Sequence, residues 1–91
     1  MERLKELIKT EGIFWVDFEK RSQCKKVIKE LSLIGYKWFN GEQIDLSKRL
    51  NFYFTLQINA YNKTIGFIPT FQRFSKTNSK PCEIYNFLDI I

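Results

Sequence analysis

Polar and apolar positions follow two rhythms along this chain. Over residues 2–10, Leu4, Leu7 and Ile8 recur at helical spacing with charges between them. Gly12 stands where a C-terminal cap would stop that helix. So short an amphipathic helix needs a surface to dock on. Ile13 to Phe18 then switches to a period of two, with Phe14, Val16 and Phe18 on one face and Ile13, Trp15 and Asp17 on the other. Trp15 is therefore expected to be covered by the first helix or by a subunit contact. Residues 20–34 return to the helical rhythm, with Cys24, Val27, Ile28, Leu31 and Ile34 on one stripe and Lys20, Arg21, Lys25, Lys26 and Lys29 exposed. Ser22 is a candidate cap at its start and Gly35 ends it.

Beyond Gly35 the pattern becomes extended. Asn40-Gly41 is a turn signal. Residues 42–50 are polar and without a clear period. Leu50, Phe52, Phe54, Leu56 and Ile58 alternate with Asn51, Tyr53, Thr55 and Gln57, which predicts a strand with one buried face. Residues 59–62 turn, Lys63 to Ile68 return as a strand, and Pro69 closes it. Residues 70–81 read as a loop, and Cys82 to Phe87 as a last strand. This order predicts a single α+β domain over residues 1–91. It is expected to hold a mostly antiparallel sheet of about four strands, one long helix packed on a face and a short N-terminal helix.

Composition narrows the chemistry. The 91 residues are 44% hydrophobic and 16% aromatic, which excludes a disordered tail and a collagen-like repeat. There is no histidine. Ser–His and Cys–His nucleophile pairs are thereby excluded, and the commonest zinc ligand is missing. Cys24 and Cys82 are too few and too far apart for a disulfide framework or a Cys-x-x-Cys site. The four glycines are isolated, so no phosphate-cradling loop is present. Asp17 with Glu19, and Glu42 with Asp45, are the available carboxylate pairs, and ordinary exposed surface charge accounts for both. Cys24 sits on an apolar stripe, where a thiol is inert. The expectation is no enzyme, no cofactor and no metal. The charged start shows no apolar leader core, and no run is long enough to span a membrane, which points to the cytoplasm.

Charge makes binding the better reading. The formal net charge is +5. Residues 1–19 carry three basic and five acidic groups, residues 20–91 twelve and five. A surface of that kind attracts nucleotides, nucleic acids or acidic protein patches. Two clusters combine cations with flat rings. Tyr36, Lys37 and Trp38, followed by Phe39, put three aromatics within four residues, and their diverging directions leave one or two exposed. In the loop, Phe71, Arg73, Phe74, Lys76 and Lys80 offer the mixture that holds bases and phosphates. The competing readings bury Trp38 beneath the helix end and use Phe71 and Phe74 as loop anchors.

Gly35-Tyr36-Lys37-Trp38, after the strand 13–18 and the helix 20–34 and before Asn40-Gly41 and the closing strand 84–89, resembles small accessory proteins of phages and mobile elements from low-GC Gram-positive bacteria. The usage of Ile, Lys and Asn, and the single alanine, suit such AT-rich coding. The N-terminal helix and Phe39 depart from the pattern. The resemblance implies a compact α+β fold and a counter-defence role in the host cytoplasm, and it carries over no site residue. The expectation is therefore a non-enzymatic protein that sequesters an anionic nucleotide signal. Tyr36, Trp38 and Phe74 would stack the base, and Lys37, Arg73, Lys76 and Lys80 would pair with phosphates. A chain this small makes a shallow pocket, so the ligand is expected at a subunit interface of a homo-oligomer. The alternatives are an inhibitor of a host nuclease-type or CRISPR complex and a nucleic-acid-binding accessory protein.

Overall fold

α1 (Glu2–Thr10) gives way to β1 (Ile13–Asp17) at Gly12, where the helical spacing of apolar residues becomes alternating. Gly12 holds a backbone φ of +74°, the left-handed region that L side chains avoid, and a Cβ there would run into the ring of Tyr61. This computed structural model describes residues 1–47, 55–68 and 83–91. Its remaining elements are α2 (Arg21–Leu33), β2 (Lys37–Trp38), β3 (Thr55–Asn59), β4 (Thr64–Ile68) and β5 (Ile84–Asn86), followed by a 3-10 turn over Phe87–Asp89. The N-terminal end of α2 is held by the Gln23 side chain. Its Oε1 accepts hydrogen bonds from the backbone N–H of Glu19 (2.9 Å) and Lys20 (3.2 Å). The expected cap, Ser22, lies one residue inside the helix instead.

The strands form one five-stranded sheet in the order β2-β4-β3-β1-β5. β3 runs antiparallel to both β1 and β4, whereas β1 with β5 and β2 with β4 are parallel pairs. The expectation of a mostly antiparallel sheet of about four strands is thus corrected to a mixed sheet of five. The reason is connectivity. The chain from β1 through α2 to β2 is a crossover between strands of the same direction, and β3 and β4 fill the space between them. The α+β class holds. The helix predicted over 20–34 is the thirteen-residue α2, and it shares its role with the nine-residue α1 rather than forming one long cover.

The core lies on one face of the sheet. Phe14 and Val16 of β1 stand opposite Ile58 and Leu56 of β3, and Ile58 stands opposite Ile65 of β4. Leu4 and Leu7 of α1 and Cys24, Val27, Ile28 and Leu31 of α2 close over these residues in a single cluster. Both helices therefore pack on the same side, and Trp15 is not covered by α1 as the strand pattern allowed. Ile34, assigned to the apolar stripe from spacing, is the C-cap and is exposed, because the helix has ended and its periodicity no longer applies. No described helix is long and apolar enough to cross a membrane. Ile58 is fully buried among residues of three strands. Ile58→Ala should cost about 2–5 kcal/mol, read as a lower midpoint in urea unfolding with an unchanged slope.

Candidate functional site

Strand parity decides which residues of the aromatic cluster can meet a ligand. Lys37 pairs with Thr64 and Trp38 with Ile65, so β2 runs alongside β4 with its side chains alternating between the two faces. Tyr36 and Trp38 fall on the core side. Tyr36 is 4% exposed, belongs to the core, and its hydroxyl is held above the usual phenol range by burial. Its ring is no stacking surface, which corrects the expected role. Trp38 is half-buried against the core, with its ring 5.7 Å from that of Phe67. Lys37 and Phe39 take the opposite side, and both are exposed.

Phe39, which the sequence reading did not count among the candidate ligand contacts, is the exposed ring of this cluster. It is 76% exposed, and its ring lies against Gly66, where an added Cβ would come to 3.0 Å from Cδ1. The backbone places it there: the Phe39 N–H donates to the Ile65 carbonyl at 2.8 Å, extending the β2–β4 ladder by one residue. The signal was present in the alternation Tyr36-Lys37-Trp38-Phe39, but its phase could not be set without knowing that Tyr36 faces inward.

Beside Phe39 the outer face of the sheet forms a groove of about 400 Å³. Its walls include Gln57, Thr64, Gly66, Phe67 and Ile68, a mostly apolar set with an amide and a hydroxyl. Lys37 stands next to the groove as the register partner of Thr64. On the β1 side of Gln57, the indole Nε1–H of Trp15 donates to Gln57 Oε1 at 3.0 Å. Trp15 is only 7% exposed, so it offers little area to a second copy.

Two further hollows have other electrostatics. One, of about 230 Å³, lies at the C-terminal end of α2 and brings together Ser32, Tyr36, Lys37 and Ile44. It unites two of the expected site residues, but the helix presents its carbonyl end there, which disfavours anions. The other, of about 240 Å³, is lined by Asp17, Glu19, Gln23 and Phe87, and so brings together one of the carboxylate pairs noted in the sequence. Asp17 Oδ1 accepts a hydrogen bond from the Thr55 hydroxyl at 2.8 Å. The other pair is exposed, and Asp45 Oδ1 accepts from the backbone and hydroxyl of Ser47. No group of three metal-ligating side chains occurs among the described residues.

Positive charge gathers on α2. Arg21, Lys25, Lys26 and Lys29, with Lys20 before them, are exposed. Among the described residues the one ion pair is Arg3 with Glu6, so these cations face water. Arg73, Phe74, Lys76 and Lys80, with Phe71, lie outside the described residues, as does Cys82.

Cys24 is fully buried on the core-facing side of α2, and burial pushes its thiol up to about 12. In the unfolded chain the same thiol ionises near 9.0. The folded state therefore holds its proton where the unfolded state has lost it, and stability falls as pH rises from 9 towards 12. The Tyr85 hydroxyl acts in the same direction. Its hydrogen bond to Glu11, at 2.7 Å, is the main cause of its rise to about 12. Thermal melts over that interval should show a progressive loss of Tm, smaller in Cys24→Ala than in the natural sequence. No family model matches the chain, and no match was found among curated proteins or solved structures.

Proposed function

We propose that this is a non-enzymatic binding protein that captures a small anionic ligand with a flat ring, of the phosphorylated-nucleotide kind, on the outer face of its sheet. The observation that supports this reading is the pairing of Lys37 and Phe39 on one side of β2, next to the groove floored by Gly66. A ring stacks on the exposed face of Phe39, and a phosphate pairs with Lys37. Arg73, Lys76 and Lys80 supply further cations and Phe74 a further ring in the same proposal. A chain this small makes a shallow site, so a homo-oligomer that closes the groove belongs to it. Sequestration of a nucleotide signal suits the phage counter-defence role that the resemblance implies.

A second reading rests on α2. Arg21, Lys25 and Lys29 follow one another at about 6 Å along the helix axis, on a surface without ion pairs among the described residues. Such a row suits the backbone of a nucleic acid, which is bound through its phosphates without regard to sequence. The groove and the row lie on opposite sides of the sheet, so substitutions separate them.

Incubation with a panel of cyclic and linear nucleotides, followed by heat release and identification of what was held, tests the first reading. Phe39→Ala should weaken capture by about fivefold to a hundredfold, the range for one lost stacking contact of about 1–3 kcal/mol. Lys37→Gln should weaken it and flatten its dependence on salt. If no nucleotide raises Tm, the first reading fails. In the second, Lys25→Gln with Lys29→Gln should lower the salt slope of single-strand binding by about 1.4; a flat salt response of the natural sequence removes that reading.

A further inference from the structure

The groove contains a hydrogen-bond donor whose direction is fixed from behind. Gln57 of β3 stands directly opposite Trp15 of β1. An indole N–H can only donate, so the contact at 3.0 Å commits the oxygen of the Gln57 amide to Trp15. The NH2 half of the amide is left for something else. Among the described residues it has no hydrogen-bond partner, and no described buried side-chain nitrogen or oxygen lacks one. The free NH2 is therefore open to solvent, on a residue that lines the groove.

We propose that Gln57 selects the ligand as a fixed donor, with Trp15 as the residue that positions it. The inference rests on the reading of the groove as a nucleotide site and names the edge of the ring that the site accepts. A ring that stacks on Phe39 is favoured when it turns a carbonyl oxygen towards Gln57. A ring that turns an amino group there leaves two donors facing each other. Without Trp15 the amide could rotate by half a turn and offer either its oxygen or its NH2, and the site would accept both edges. The indole thus converts an adaptable side chain into a directional one, without touching the ligand.

Inosine 5′-monophosphate carries a carbonyl at C6 and a proton on N1, whereas purine riboside 5′-monophosphate carries a hydrogen at C6 and leaves N1 unprotonated, so only the first offers a carbonyl oxygen to Gln57. Titration calorimetry of both against the natural sequence should show inosine monophosphate binding about three- to tenfold more tightly, the worth of one hydrogen bond. Gln57→Glu keeps an acceptor for Trp15 and turns a second acceptor towards the ligand, so the preference should be lost. In Trp15→Phe both nucleotides should still bind while the preference for an acceptor shrinks. Melting curves of each variant establish that it is folded, and Gln57→Glu, nearly isosteric, serves if Trp15→Phe is not. Equal binding of the two nucleotides, unchanged in Gln57→Glu, overturns this inference and leaves the groove reading standing. Failure of both to bind the natural sequence, together with failure of the whole nucleotide panel, overturns both.

Discussion

The organisation of this protein depends on the placement of α1 and α2 on the same face of the sheet. With the helices on one side only, each strand residue is committed by parity either to the core or to the outer face. Phe14, Val16, Leu56, Ile58 and Ile65 take the first assignment. Trp15, Gln57, Thr64 and Gly66 take the second. The burial of the first group supplies the main driving force for folding. The second group is then positioned by the same register at no separate cost in order. The groove and the hydrogen bond between Trp15 and Gln57 both follow from that division.

Parity also explains what could be read from the sequence and what could not. α1, β1 and α2 were legible because each repeats its pattern several times: Leu4 and Leu7 in the first, Phe14 and Val16 in the second, and Cys24, Val27, Ile28 and Leu31 in the third. β2 has two residues, Lys37 and Trp38, which is too few to display a period. Its phase is set by its neighbour β4, a contact that local sequence does not carry. For the same reason the pattern at 36–39 shows a dense aromatic cluster without showing which members face inward: Tyr36 is sealed in, and Phe39 stands in the open. The parallel pairings escaped for a related reason. An alternating pattern marks a strand but not the direction of its neighbour, and β5 finds β1 across most of the chain.

Two kinds of surface therefore coexist on opposite sides of one sheet. The outer face holds an aromatic ring, an amide and a lysine around a mostly apolar groove, features that favour a ligand with shape and directional bonds. The exposed side of α2 holds cations on a convex surface, features that favour charge without shape. The exposed cations of α2 create a positive field that raises the concentration of anions near that side of the molecule.

The parallel pairing of β1 with β5 has a consequence for biosynthesis. Trp15 lies beside Ile84 in the sheet, and Phe87 and Ile90 enter the core just after. During translation β1 emerges from the ribosome long before β5 exists, so one of its edges has no native neighbour until β5 has emerged. Completion of the sheet must wait for β5, and the nascent chain passes through an interval in which an apolar strand edge is available to other chains. Slow, non-local closure is the kinetic counterpart of a fold whose first strand is flanked by two later-made partners, β3 and β5.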